Sequence, residues 1–382
     1  MTDTPFPVLW LYGPPGVGKT TVGWEIYHQL VRDGSPVGYV DIDQVGICYP
    51  EPTDDPGRHR LKARTLAALL PNYRSAGARG VVVSGVVDPT TGPHLDLLTA
   101  AAVTVCRLHA DPTVLAERFV ARTGDPAAVS SVLRGAAVLD TRNAGDGCVE
   151  TTGLTVTEVA ERVRAQVGDW LVRANADARL RPPPKPTAAS GAILWLCGAA
   201  GVGKSTVGFR VYRDTLWAGR TTGYVDLEQL GFGPGNVVDH HLRAQNLTAV
   251  WRTFRQAGAE RLVVVGPAED ETVVAGYTTM LPGTTVTLCR LHAGRTSLTH
   301  RILSRSDGGS WAQPGDPLRG MSTTDLLRVA DKAVGDAEAL EKAACGHRID
   351  TDGRDPDDVA HLVVSTTGWL SPGEGGMAWA AG

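Results

Sequence analysis

The sequence predicts an α/β protein made of two tandem three-layer α/β/α domains, each built around a mostly parallel sheet. Three observations predict this. The stretch Gly13-Pro14-Pro15-Gly16-Val17-Gly18-Lys19-Thr20 follows the apolar run Val8-Leu9-Trp10-Leu11-Tyr12 and leads into a helical pattern with Val22, Ile26 and Leu30 on one face. Gly198-Ala199-Ala200-Gly201-Val202-Gly203-Lys204-Ser205 repeats the arrangement, after Ile193-Leu194-Trp195-Leu196-Cys197 and ahead of Val207 and Val211. Throughout both halves, short β-rich runs alternate with helical patterns, which implies parallel β-α-β units with helices on both sheet faces.

Taken in order, the first half reads strand 8–12, helix 19–32, strand 37–41, helix 58–76 and strand 80–84. It continues as helix 92–101, strand 103–108, helix 112–122, strand 147–150 and helix 155–173. Continuous apolar runs such as Val81-Val82-Val83 suit strands buried on both sides. The second half repeats the first. Gly38-Tyr39-Val40-Asp41 returns as Gly223-Tyr224-Val225-Asp226, and the segment from Val103 to Ala110 returns from Val286 to Ala293. The proline-rich stretch 181–191 favours an extended spacer. The domains are therefore expected at 1–180 and 192–370, joined by the 181–191 linker and followed by a frayed 371–382 tail.

At 382 residues the chain is long for one core and suits two domains of roughly 150–200 residues. A formal charge of −4 and the absence of any Lys/Arg run argue against a nucleic-acid partner. No apolar stretch approaches the ~20 residues of a membrane span, and no signal-peptide pattern is present. Six scattered cysteines with no C-x-x-C pair indicate neither a zinc site nor a disulfide framework, so a cytoplasmic setting is expected.

Both octapeptides fit G-x-x-x-x-G-K-[ST], the phosphate-cradling P-loop, in the strand–loop–helix context that the motif requires. Glycines let successive backbone N–H groups turn inward around an anion, and the helix N-terminus adds partial positive charge. Gly13, Gly16, Val17, Gly18, Lys19, Thr20 and Thr21 are thus expected to hold nucleotide phosphates, as are Gly198, Gly201, Val202, Gly203, Lys204, Ser205 and Thr206. Lys19 and Lys204 would reach the β- and γ-phosphates of ATP, while Thr20 and Ser205 would bind Mg²⁺.

After the second strand of each half come paired acids, Asp41-Ile42-Asp43 and Asp226-Leu227-Glu228. Ligands of such sheets bind beyond the carboxyl ends of the strands, where the P-loop also lies. One acid of each pair would hold Mg²⁺ and the other would accept or orient a proton of a substrate hydroxyl. The plain alternative is a strand-end acid that caps the next helix.

His59-Arg60-Leu61-Lys62-Ala63-Arg64 stands opposite His241-Leu242-Arg243-Ala244-Gln245, and Arg60 and Arg64 share a helix face. That face either holds a polar acceptor or is simply solvated. Arg118 and Arg122, matched by Arg301 and Arg305, are spaced to clamp phosphates or the adenine ring, with a solvated face as the alternative. Ser84-Gly85 and Gly266-Pro267 end the third strands; such residues either admit a substrate or only end a strand. His240-His241 lacks metal-ligand spacing.

On these residues the chain resembles the P-loop small-molecule kinases: the nucleoside monophosphate kinase-like group with gluconate, shikimate and adenylylsulfate kinases and chloramphenicol phosphotransferase. The resemblance spans both halves nearly end to end. It rests on the P-loops, the acid pairs, the arginine segments and the Glu150-Thr151-Thr152-Gly153 turn with its counterpart. It implies that Asp41 and Asp226 lie on the metal side, Asp43 and Glu228 on the substrate side, and Arg118, Arg122, Arg301 and Arg305 in lids. No acid ends the third strand of either half, and no Asn-Lys-x-Asp supports guanine.

The expected function is transfer of the ATP γ-phosphoryl group, with Mg²⁺, to the hydroxyl of a small-molecule acceptor. The rival reading is an ATP-binding regulatory or interaction protein. The sequence identifies neither the acceptor nor an oligomeric state. The halves also differ: about 44 residues separate Arg305 from Ile349, against about 27 between Arg122 and Val149. The second half is thus expected to have the fuller lid, with Arg319 as an extra clamp, and the first half the acceptor chemistry.

Overall fold

A computed structural model describes residues 4–142, 147–171, 189–235, 239–305, 318 and 320–370. The chain forms two compact units that are not simple halves of the sequence. The first unit comprises Met1–Gly46, Glu51–Pro184 and Gly231–Leu242; the second comprises Ile47–Pro50, Lys185–Leu230 and Arg243–Gly382. The linker expected at 181–191 lies outside the described residues up to 188, and its last residue already opens a strand. The 371–382 tail and Arg319 also lie outside the described residues.

In chain order the elements begin with β1 (Phe6–Tyr12), α1 (Lys19–Arg32), β2 (Val37–Asp41), β3 (Cys48–Tyr49), α2 (His59–Ser75) and β4 (Gly80–Ser84). They continue with β5 (Ala101–His109), α3 (Pro112–Thr123), α4 (Val129–Arg142), β6 (Gly147–Glu150) and α5 (Val156–Val167). The first unit's sheet has the order β2-β4-β1-β5-β6, and every pairing is parallel. Order reverses around β1, so the loop after β1 opens at the switch point where such sheets bind ligands.

Two glycines show how the layers meet. A Cβ on Gly38 of β2 would lie 2.4 Å from the Tyr73 ring of α2. A Cβ on Gly23 of α1 would lie 3.3 Å from the ring of Tyr39, the next residue of β2. Neighbouring strand residues face opposite ways, so α1 and α2 cover opposite faces of the sheet. The core of this unit centres on Leu9, Leu11, Ile26, Tyr39, Val82 and Leu108.

The second unit repeats this plan with β7 (Gly191–Cys197), α6 (Lys204–Trp217), β8 (Thr222–Asp226), α7 (His240–Gln256) and β9 (Arg261–Val265). It then runs α8 (Glu271–Thr279), β10 (Thr284–His292), α9 (Arg295–Ser304), α10 (Thr323–Ala343), β11 (His347–Asp350) and α11 (Pro356–Thr367). Its sheet has the order β11-β10-β7-β9-β8-β3, with β3 antiparallel to β8 and the other pairings parallel. Again a glycine pair separates the layers: Gly223 of β8 abuts Phe254 of α7, and Gly208 of α6 abuts Val265 of β9.

Three expectations need correction. The helix expected at 92–101 is a turn-rich loop with one short 3-10 turn at Leu95–Leu97. Asp88 accepts the backbone N–H groups of Thr90 and Thr91, and Gly92 and His94 take positive φ, which competes with helix. The helix expected to reach 173 ends at Val167, because Gly168 adopts φ 58 and Trp170 turns back into the core. The helix α4 was not expected at all.

Ile26 is fully buried on α1 within the first core. Ile26→Ala should destabilise the protein by about 2–5 kcal/mol in equilibrium urea unfolding. A loss under ~1 kcal/mol would mean that α1 is not packed as described.

Candidate functional site

The loop after β1 turns on Gly13, Gly16 and Gly18, whose φ values are 149°, 90° and 100°. A Cβ at Gly13 would stand 2.5 Å from the Leu108 carbonyl oxygen, so the loop lies directly against β5. Gly18 is the left-handed N-cap of α1 and offers no side-chain cap. The first N–H groups of α1 are thus left for a ligand, whereas Asp111, Thr155, Asp270, Ser322 and Asp355 cap their own helices. Gly203 caps α6 in the same way, with φ 102 and no side-chain cap.

Lys19 is buried and donates from Nζ to the Pro14 carbonyl at 2.9 Å. Burial pushes its ammonium down to about 8, against the pull of Asp43 and Asp41, and the Arg122 guanidinium adds to the push. Lys204 donates to the carbonyls of Gly198 and Ala199, at 2.8 and 3.0 Å.

Asp41 ends β2 and is buried. Its Oδ2 accepts the Thr20 hydroxyl at 2.8 Å, and its Oδ1 accepts the backbone N–H groups of Asp43 and Gln44 at 3.0 and 3.3 Å. Burial, and next the charge of Asp43, raise its carboxyl to about 6 despite these bonds. A buried carboxylate with a hydroxyl oxygen beside it suits a divalent cation. Mg²⁺ takes one or two protein oxygens and completes its shell with phosphates and water. Thr20 and Asp41 fit that role, as do Ser205 and Asp226, whose side chains meet at 3.4 Å. Among the described residues, no cluster of three or more His, Cys, Asp or Glu side chains is placed to hold a metal by itself.

Asp43 lies outward of Asp41, its side chain 40% exposed. The Lys62 ammonium, on α2, donates to Asp43 Oδ1 at 2.8 Å, and the Val86 N–H donates to Oδ2 at 3.3 Å. Lys62 itself is buried. The sequence pattern pointed to Arg60 and Arg64 rather than Lys62; Arg64 is exposed, and the half-exposed Arg60 pairs with Asp96 at 3.9 Å. The signal was available, since Lys62 is one turn after the helix start at His59 and one turn before the core residue Leu66. The helix starts also shift the repeat register by one residue: His59 matches His240, and Lys62 matches Arg243.

Ser84 and Asp41 are register partners on adjacent strands, so the acid that β4 lacks comes from β2 beside it. Gly85, at φ 141, is small for a packing reason: a Cβ there would lie 2.2 Å from Ile42. Its absence lets the acid loop fold over the strand end.

The arginines divide. Arg118 donates to the Thr151 hydroxyl and carbonyl at 3.0 and 3.2 Å, tying α3 to the turn after β6. Arg301 does the same at Thr351, at 2.9 Å each, and also reaches the Val202 carbonyl at 3.2 Å. Arg122 is exposed on α3. Arg305 lines a cavity of about 760 Å³ in the second unit, together with Gly198–Thr206, Asp226, Glu228, Thr351 and Arg354. Part of the longer second-half segment forms α10, which has 21 residues against 14 in α4 and puts Lys332 and Asp336 on the same cavity. Thr21 and Thr206 are exposed at the starts of their helices.

His109 pairs with Glu150 at 2.6 Å. Burial pushes Glu150 up, but hydrogen bonds from Thr152 and His109 outweigh it and hold the carboxyl near 2.

The chain is similar to solved structures that each match about half of it. The Deinococcus radiodurans tunicamycin resistance protein is 20% identical over 47% of this chain and 96% of its own, with a TM-score of 0.32. A gluconokinase from Sinorhizobium meliloti is 19% identical over 43% and 93%, with a TM-score of 0.31. Shikimate kinase from Aquifex aeolicus is 14% identical over 47% and 99%, with a TM-score of 0.26. No protein-family model and no curated protein matches the chain.

Lys19 gives a pH prediction. Its charged form attracts phosphate, and that charge is lost as pH rises through about 8. In a Lys204→Ala chain, ATP affinity should therefore fall by up to ~10-fold per pH unit above that point, with proton uptake on binding. Calorimetry in buffers of differing ionisation enthalpy reads both quantities. Affinity that is flat from pH 7.5 to 9.5 would contradict it. Without nucleotide the sign is opposite. The unfolded chain holds the Lys19 proton up to its usual 10.5, so this residue's contribution to stability improves between about 8 and 10.5.

Proposed function

We propose that the chain binds ATP with Mg²⁺ at both P-loops and transfers the γ-phosphoryl group to a hydroxyl of a small-molecule acceptor, with the acceptor chemistry in the first unit. The observation that carries this reading is the arrangement at the end of β2. One acid, Asp41, is buried against the P-loop hydroxyl of Thr20, and a second, Asp43, is half-exposed and held by Lys62. The two carboxylates have different environments, and different tasks follow.

In this reading the P-loop N–H groups and Lys19 hold the phosphates, while Thr20 and Asp41 hold the metal. Bound Mg²⁺ would offset charge on the phosphate oxygens. Asp43 accepts a hydrogen bond from the acceptor hydroxyl and then its proton, as that oxygen bonds to the γ-phosphorus and the bond to the β,γ-bridging oxygen of ADP breaks. Lys62 and the Val86 N–H fix the plane of the Asp43 carboxylate. A carboxylate fixed in this way suits a loose transition state, in which the nucleophile needs orientation more than early deprotonation.

The second unit holds the same P-loop and hydroxyl–acid pair in an open cavity, with Glu228 in place of Asp43. Among the described residues, no ion pair joins Glu228 to Arg243, the counterpart of Lys62. A carboxylate that is one methylene longer and not paired to that position orients a hydroxyl less well, and misplacement by about an ångström can cost ~10²-fold in rate.

The test is ATP turnover against a panel of hydroxylated small molecules, followed by substitutions on the acceptor found. Asp43→Asn should lower transfer by ~10²–10⁴-fold with ATP affinity nearly unchanged, the usual share of general acid–base catalysis. Glu228→Gln should have a much smaller effect. Transfer that survives Asp43→Asn and is lost in Glu228→Gln would move the acceptor chemistry to the second unit.

A further inference from the structure

Tyr39 stands in the middle of β2, fully buried, two residues before Asp41. Its hydroxyl lies 2.7 Å from Ser84 Oγ and donates to the Thr20 carbonyl at 3.4 Å. Ser84 in turn reaches Asp41 Oδ2 at 3.5 Å, the oxygen that accepts the Thr20 hydroxyl. The phenol thus braces both members of the hydroxyl–carboxylate pair from behind. Burial raises its pKa well above the usual value, so it stays a neutral hydrogen-bonding group.

The Tyr39 ring is held by Trp24 of α1, edge-on at 5.2 Å, and by a segment distant in sequence. Phe232 belongs to the first unit through Gly231–Leu242. Its ring sits 5.8 Å from that of Tyr39 and meets Trp24 edge-on at 4.6 Å. The Phe232 carbonyl accepts the Tyr39 N–H at 2.9 Å, and the Gly233 carbonyl accepts the Tyr27 hydroxyl at 2.9 Å. Within the second unit Tyr224 repeats the pattern. Its N–H donates to the Ile47 carbonyl at 2.9 Å, and its hydroxyl donates to the Ser205 carbonyl at 3.4 Å. Ile47 packs on that unit's core. Ile47 and Phe232 occupy equivalent places, each four residues after the second acid of its own half, Asp43 or Glu228.

We propose that Phe232 is a positioning residue for the Thr20–Asp41 pair, acting through Tyr39, and that Ile47 does the same for Ser205–Asp226 through Tyr224. The inference rests on reading these pairs as the metal side of two nucleotide sites. Each half of the sequence then supplies the acids of one site and the support of the other.

The main-chain bond from Tyr39 to Phe232 survives any side-chain change, so substitution isolates the ring. In the full chain carrying Lys204→Ala, ATP titrations with and without Mg²⁺ report on the first unit. Phe232→Ala should weaken ATP binding in Mg²⁺ by roughly 10-fold, at the lower end of the effect of outer-shell partners on metal affinity. Binding of metal-free ATP should change by less than ~2-fold, and Phe232→Tyr should restore the Mg²⁺ effect. Should Phe232→Ala lose the β2 amide protection that reports a folded unit, Phe232→Leu carries the same measurement, because it keeps apolar volume without the ring. Equal weakening with and without Mg²⁺, or no weakening at all, would overturn the positioning role. Absence of ATP binding in the Lys204→Ala chain itself would instead sink the nucleotide reading of the first unit.

Discussion

A carboxylate buried at the carboxyl end of a parallel strand is the constraint around which the first unit's site is arranged. Removing a charge from water is costly unless donors or a cation replace the lost solvent. Asp41 receives four hydrogen bonds, from Thr20, Ser84, Asp43 and Gln44, and is still pushed towards its neutral form. That residual strain is electrostatic, and a divalent cation with phosphate oxygens would relieve it. The parallel sheet makes the encounter possible, because β1 and β2 end at the same edge and so deliver the P-loop and the acid together.

The two units solve the same problem with different side chains. In the first, Lys62 crosses from α2 to hold Asp43, and Lys19 is buried deeply enough to soften its charge. In the second, no ion pair to Glu228 is found among the described residues, Arg243 replaces Lys62, and the P-loop opens on a cavity bordered by α10. Arginine presents a planar fork and lysine a compact point charge, so this exchange alters what the position can hold. A duplicated framework with unequal surroundings at the second acid fits the proposed division of labour between the units.

Sequence halves and structural units do not coincide. The segments that follow the acid pairs belong to the unit built mainly from the opposite half of the sequence: Cys48 and Tyr49 pair with β8, and the Phe232 carbonyl accepts the Tyr39 N–H on the edge of β2. An edge strand with unpaired N–H and C=O groups is a liability, and covering it is a familiar remedy. Here the covering segments also pack on the tyrosines behind the two hydroxyl–acid pairs, which links edge protection to the site.

By itself the sequence determined whatever depends on local pattern. Both P-loops, the strands at 37–41 and 80–84, the helix at 19–32 and the acid pairs follow from glycine placement, apolar runs and period, all of which are set by neighbours along the chain. The tandem repeat made the α/β plan of each unit legible. Tertiary structure decided what depends on residues far apart in the sequence. It placed Lys62 on Asp43 and Ser84 beside Asp41, tied Arg118 to Thr151, and seated Phe232 on Tyr39. None of these pairs has a period or a spacing that marks it, because a side chain's partner across a sheet is fixed by strand order and register. The loop at 92–101 failed for a related reason: its apolar residues suggested a helix, but Asp88 and Gly92 gave the backbone a better set of bonds.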